Sequence, residues 1–134
     1  GEEQTEVITL DDKKIQKSAE DYLETVLILS RQNGSVRAVD IANALNFSKP
    51  SVSIAMKNLR ENGYVELDGN GCIRLCDKGR EIAERIYERH TVLTDWLTGL
   101  GVDPIVAAED ACRIEHVISA ESFEAIRRQR DGGR

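Results

Sequence analysis

Two histidines, three cysteines and several closely spaced carboxylates are the groups in this chain able to do chemistry beyond packing. The densest set lies in Cys112-Arg-Ile-Glu115-His116. On a helix, positions i, i+3 and i+4 share a face, so a thiol, a carboxylate and an imidazole would converge there as a ready set of metal ligands. The second histidine, His90, interrupts an apolar stripe, and Asp21 with Glu24 sets two carboxylates at the edge of another. Each has a plain structural alternative: His90 as a hydrogen-bonded core residue, Asp21 as a helix cap, Glu115-His116 as a solvated pair, Cys112 as a small buried hydrophobe. Taken together, they bring hard and borderline ligands from three helices to one core, and metal binding is the chemistry expected.

Particular elements have to hold these groups. Ser18-Ala-Glu-Asp21 has the form of a capping box with Asp in the Glu/Gln place, and Tyr22, Leu23, Val26, Leu27 and Ser30 follow on one helical face. A first helix is expected from about Ser18 to Gln32, ended by Asn33-Gly34, with residues 1 to 12 outside the fold and Gly1 read as a trimmed tag or an internal start. Val39 to Leu45 reads as a short helix, Asn46-Phe47 as a turn, and Ser48 to Asn62 as a third helix with Pro50 in its first turn. Val52, Ala55, Met56 and Leu59 form its buried stripe.

Tyr64 to Leu67 and Cys72 to Cys76 read as strands joined by Asp68-Gly69-Asn70-Gly71, which suits a hairpin. Asp77 is expected to cap a long helix carrying Ile82, Ala83, Ile86, Tyr87, His90, Leu93 and Leu97 on one face and ending near Gly99. Asp103-Pro104 opens a helix reaching about Ile118, with the whole Cys112 to His116 trio on it, and Ser119 caps a last helix to Gln129. The fold class is therefore mainly α with a small β-hairpin wing: a winged helix-turn-helix over residues 13 to 79, then a helical part over residues 80 to 130.

With 134 residues, the chain holds one small domain or two very small ones, which excludes a large multi-domain enzyme. No apolar run nears the ~18 residues of a membrane span, so no membrane role is expected. An odd number of cysteines without a dense disulfide framework suits a reducing compartment, the cytoplasm. The net charge of -6 speaks against coating nucleic acid by charge alone, yet residues 35 to 79 carry +1 and the rest -7. Between Ser48 and Arg60 there are basic residues and no acidic one.

A helix-turn-helix can serve packing alone; here the spared charge favours double-stranded DNA. Lys49, Pro50, Ser51, Ser53, Ile54 and Lys57 are left toward the groove, the two lysines for phosphates and Ser51 for short base contacts. Arg37 and Ser48 complete the candidate DNA-contacting set. With no Arg, Asn or Gln among these groove-facing positions to read a base bidentately, a homodimer is expected to compensate, joined through Leu93, Trp96, Leu97, Leu100, Ile105 and Val106.

Ser18-Ala-Glu-Asp-Tyr-Leu-Glu24, the helix-turn-helix from Val39 to Asn62, Asp77-Lys-Gly79, Arg89-His90 and Asp110-Ala-Cys-Arg-Ile-Glu-His-Val-Ile-Ser119 together resemble the diphtheria toxin repressor family, across about residues 13 to 130. The resemblance implies a metal-activated transcriptional repressor of metal-ion uptake genes that senses Mn(II) or Fe(II), with a winged-helix domain and a helical dimerisation domain. It implies Asp21, Glu24, His90, Cys112, Glu115 and His116 as metal ligands. Asp21 and Glu24 match the manganese-responsive branch and Cys112 the iron-responsive one, where the manganese branch commonly has Glu. Thr94 and Ala108 stand where the iron branch carries ligands of an ancillary site, and Glu24 with His90 could hold a second ion. Stopping before the SH3-like third domain of longer members favours the short, manganese-type architecture. Mn(II) is the expected cofactor, with Fe(II) next.

Three other readings compete. Cys112 could act as a redox sensor, whereas Cys72 and Cys76, ~13 Å apart on a strand, are too distant for one disulfide. A metal-free winged-helix adaptor would bind protein instead. An enzyme acting on a small organic substrate is not expected, because no separate general base, phosphate-cradling loop or substrate pocket is legible.

Overall fold

A computed structural model describes residues 10–132, with side chains from residue 17 onward. Six helices and one hairpin follow in order: α1 (Leu10–Asn33), α2 (Ala38–Leu45), α3 (Lys49–Glu61), β1 (Val65–Leu67), β2 (Ile73–Leu75), α4 (Asp77–Gly99), α5 (Pro104–Ile114) and α6 (Ala120–Arg130). No described helix is long and apolar enough to cross a membrane.

The apolar stripes account for the first half. Tyr22, Leu23, Val26 and Leu27 of α1 meet Val36, Ile41, Val52, Met56 and Leu59 in one core, closed below by Val65 and Ile73 of the hairpin and Ala83 of α4. Removing each large side chain from water stabilises by about 1.5–3 kcal/mol. The local signals for α2 and α3 hold: Asn46 ends α2 in the left-handed region (φ 58°), and the Ser48 hydroxyl caps α3 by accepting from the Ser51 amide. The hairpin is antiparallel, with Val65 opposite Leu75 and Leu67 opposite Ile73, and the Asp68 carboxylate closes its turn by accepting from the Asn70 and Cys72 amides.

Four expectations give way. Ser18 and Asp21 lie within α1 (Leu10–Asn33), so Asp21 is no helix cap and residues 10 to 12 are helical. Asp77 is the first residue of α4, and Cys76 before it makes no side-chain cap. Helix α5 stops at Ile114 rather than Ile118. The Arg89 guanidinium explains that end: it donates to the carbonyls of Glu115 and Ile118, satisfying acceptors that a continuing helix would have used. Leu93, expected at a dimer contact, is fully buried within the protomer, and Trp96 is half-buried with its Nε1–H donating to Gln129. Leu93 is interior because α5 and α6 pack on that side of α4.

Helix α4 is the spine of the molecule. Its first turn lies against the α3–β1 link, its Ala83 joins the winged-helix core, and its later turns bury Ile86, Val92 and Leu93 with Ala107, Ala111 and Phe123 of α5 and α6. One rigid element therefore touches both the winged-helix core and the helical half.

Candidate metal centre

The six predicted ligands come from different parts of that frame. Asp21 and Glu24 lie in α1, His90 in α4 and Cys112 in the last turn of α5. Glu115 caps α5 with still-helical dihedrals (φ -59°, ψ -23°), and His116 sits in the turn beyond.

Five of them fall into two groups, each with ligand atoms within 4.8 Å of one another: His90, Cys112 and Glu115, and Asp21, Glu115 and His116. His90 Nδ1 is 3.0 Å from Glu115 Oε2 and 3.7 Å from Cys112 Sγ. His116 Nε2 is 3.0 Å from Asp21 Oδ1 and 3.5 Å from Glu115 Oε1. The expected single trio on one helical face is thus corrected. Because α5 ends at Ile114, His116 turns toward α1 while Cys112 stays beside His90, and Glu115, buried at the break, serves both sides. Glu24 belongs to neither tight group but is close enough to feel the charge of Glu115 and His90.

Direction as well as distance suits an ion. His116 Nε2 is buried and, although 3.0 Å from Asp21 Oδ1, is not aligned with it for a hydrogen bond. Two ligand atoms on one ion behave this way, since both lone pairs aim at a third point. With bonds of ~2.1 Å at right angles, as hard octahedral ions demand, neighbouring ligand atoms stand about 3.0 Å apart. The donor set, carboxylates and imidazoles with one sulfur, therefore fits a divalent transition metal.

Without an ion, protons balance this cluster. Burial alone would lower His116, but the carboxylates of Asp21 and Glu20 beside it outweigh that and push it up to about 9. Burial, then the charge of Glu115, pushes Glu24 up to about 7. Burial would also raise Asp21, but His116 and Lys17 hold it below the usual carboxylate range. The hydrogen bond to Glu115 holds His90 above its ordinary value.

A stability test follows from these shifts. His116 and Glu24 both hold their protons more tightly folded than unfolded, so their contribution is complete below about pH 4.5–6.5, the ordinary values. It is lost as pH rises through about 7 for Glu24 and about 9 for His116. In chelator, the melting temperature should fall by several degrees between pH 6 and about 9. With metal present the trend should weaken or reverse, because ligands bind deprotonated. A metal-free protein that grew more stable over that range would contradict the charge assignment.

Sequence reasoning missed Glu20, which is buried in α1 and touches His116. Its signal was a carboxylate in register with the apolar stripe, three and seven residues before Leu23 and Leu27.

Of the residues expected to contact DNA, Lys49, Pro50, Ser51, Ser53 and Lys57 are exposed on α3, as are Ser48 before it and Ile54. The Ser51 hydroxyl is drawn into the cap, accepting from that of Ser48. Arg37 precedes α2, and its guanidinium reaches across to the wing turn, 3.1 Å from where a Cβ on Gly71 would stand.

A winged helix joined through one spine helix to a cluster of metal-ligand side chains defines a metal-responsive DNA-binding regulator. Residues 14–72 match the family model described as "Iron dependent repressor, N-terminal DNA binding domain", and residues 76–130 match "Iron dependent repressor, metal binding and dimerisation domain". The transcriptional regulator MntR of Escherichia coli O157:H7 is 35% identical over 108 residues, covering 81% of this chain and 70% of the relative. An uncharacterized HTH-type transcriptional regulator, MJ0568 of Methanocaldococcus jannaschii, is 34% identical over 113 residues, covering 83% and 90%. The solved structure of the manganese regulator SloR superimposes with a TM-score of 0.75 at 26% identity, covering 84% of this chain and 53% of that one. This chain thus spans about half the length of that structure. The chain belongs to the iron-dependent repressor family of metal-dependent transcriptional regulators.

Proposed function

We propose that this chain is a metal-activated repressor that binds operator DNA as a homodimer and controls metal-ion uptake genes in the cytoplasm. The observation that carries this reading is the meeting at buried Glu115 of groups from both halves: Asp21 from α1, His90 from α4, and His116 from the turn after α5. In this reading residues 13–79 bind DNA and residues 80–130 carry the dimer contacts and most ligands. Asp21, Glu24, His90, Cys112, Glu115 and His116 would hold the ion, Mn(II) first and Fe(II) second. Bound there, a divalent cation would neutralise the clustered carboxylates and join α1 to the helical half. Asp21 and Glu24 then fix α1, and with it α3, at one angle to α4, so that two recognition helices match half-sites one helical turn apart. Arg37, Ser48, Lys49, Pro50, Ser51, Ser53 and Lys57 would face the duplex.

Titrating the protein onto a genomic fragment library with Mn(II), Fe(II), Co(II), Zn(II) or chelator tests this. Metal is expected to tighten operator binding by roughly 5- to 150-fold, the range of typical allosteric coupling. Operator binding indifferent to both metal and chelator would defeat the proposal.

The dimer contact is proposed at Leu100, Ile105 and Val106, whose side chains are exposed to 62%, 71% and 44% around the α4–α5 connection. Ile105→Asp should shift the sedimenting species toward 14.9 kDa and weaken operator binding by about 10-fold or more. Since Ile105 is exposed, metal-free melting should change little, and a variant that remained dimeric would move the interface elsewhere.

The cysteine-based redox reading is less well supported. Burial and the charges of Glu115 and Glu24 push the Cys112 thiol up to about 11, leaving little thiolate to meet an oxidant. Family membership favours regulation over catalysis.

A further inference from the structure

Resting on the metal-centre reading, we propose that Glu20, steadied by Arg85, is the positioning residue that aims His116 at the ion. Glu20 is 5% exposed, and its two oxygens have separate partners: Oε1 lies 2.8 Å from His116 Nδ1, and Oε2 accepts from the Arg85 guanidinium at 3.2 Å. A buried charge with both oxygens engaged and no role as a ligand in either metal-ligand group calls for an explanation.

The chemistry of the contact supplies it. An ionised carboxylate only accepts hydrogen bonds, so the Nδ1 facing Glu20 must carry the hydrogen. In a neutral imidazole the other nitrogen is then bare, and that nitrogen is Nε2, the atom lying 3.0 Å from Asp21 and 3.5 Å from Glu115. Glu20 thereby selects the tautomer that can bind metal, holds the ring plane and makes Nε2 a better electron donor. Arg85, on α4 and half-exposed, pairs with the second oxygen of Glu20 and fixes its rotamer. The chain of contacts from α4 through α1 to His116 aligns the ring before any ion arrives.

The same relay does not exist at His90. That ring turns Nδ1 inward toward Glu115 and Cys112, so an ion held there would take Nδ1 and leave the ring hydrogen on Nε2. The two histidines therefore need opposite tautomers, and among the described residues only His116 has a buried carboxylate behind it to enforce one.

The test compares Glu20→Gln, Arg85→Met and the unaltered protein. Three readouts are taken: Mn(II) affinity by competition with a fluorescent chelator, metal-free melting temperature, and metal-free ¹⁵N shifts of the two histidines above about pH 9, where the His116 ring is neutral and its tautomer can be read. Glu20→Gln is expected to weaken Mn(II) binding by roughly 10- to 100-fold, the usual cost of losing such an outer partner. It should also move the His116 nitrogens toward a mixture of tautomers while those of His90 stay in place. Arg85→Met should move both quantities in the same direction by less.

Wild-type Mn(II) affinity and unchanged His116 shifts in Glu20→Gln would overturn the proposal. So would an affinity loss with His116 shifts unchanged, since that is what mere loosening of the fold produces. If Glu20→Gln does not fold, Arg85→Met decides by the same readouts. Failure of the unaltered protein to bind Mn(II), Fe(II) or Zn(II) would instead defeat the metal-centre reading itself.

Discussion

Glu115→Gln is expected to abolish the metal response while leaving a folded protein. Glu115 is 1% exposed and is the residue common to both ligand groups, so one substitution removes a carboxylate from each. The amide that replaces it is nearly isosteric but neutral. One of its ends is an NH₂ that only donates, set among imidazole nitrogens 3.0 and 3.5 Å from the original oxygens. Losing an outer partner of a ligand typically costs 10- to 100-fold in metal affinity, and losing a shared ligand should cost more, upwards of ~100-fold. In chelator the two effects on the fold oppose each other. A buried charge is removed, which stabilises, and His90 and His116 lose an acceptor, which destabilises, so metal-free stability should change by only about 1–2 kcal/mol. Mn(II) titration and operator binding with and without metal check this, with metal-free circular dichroism as the control on folding. Retained metal activation in Glu115→Gln would show that the ion sits elsewhere.

The second large effect belongs to the fold. Gly79 is buried in the first turn of α4, and a Cβ added there would stand 2.2 Å from the Tyr64 carbonyl oxygen, 3.0 Å from its carbon and 3.3 Å from Leu23 Cδ2. The obstacle is backbone, not a flexible side-chain end. The same Tyr64 carbonyl accepts from the Cys76 amide at 3.0 Å, so displacing it breaks the tie between the end of α3 and the start of α4. Gly79→Ala should therefore destabilise by about 3 kcal/mol or somewhat more, the upper part of the range for overpacking. For a chain of this size that lowers the melting temperature by roughly 10 °C. Because α3 hangs on that tie, operator affinity at low temperature should fall as well, even with saturating Mn(II). Melting within a degree or two of the unaltered protein would mean that α4 and the α3–β1 link are not packed as described.

Much of this was readable from residue types and spacing. The order of elements followed from local rules: the helical stripe of α1, the Ser48 cap and Pro50 that open α3, Asn46 in the left-handed region after α2, and the Asp68-Gly69-Asn70-Gly71 turn between strands. These depend on contacts within a few residues, which the sequence states directly. The ligand types were readable for the same reason, since Cys112, Glu115, His116, Asp21 and Glu24 lie at intervals that neighbouring turns of a helix bring together.

What spacing could not state was how the elements meet. Where α5 stops depends on Arg89, 26 residues from Glu115 in the chain, reaching over to hold its carbonyl. That stop sends Cys112 and His116 to different partners and leaves Glu115 between them. Leu93 and Leu97 look alike in the stripe of α4, but only the packing of α5 and α6 makes Leu93 interior and leaves Leu100 and Ile105 outside. Glu20 reads as an ordinary charge on α1 until Arg85 and His116 are seen on either side of it. By itself, the sequence determined which elements form and which ligand chemistry they carry, because short-range geometry governs both. Only the tertiary structure decided which atoms face one another across helices, because those distances are set by packing between residues far apart in the chain.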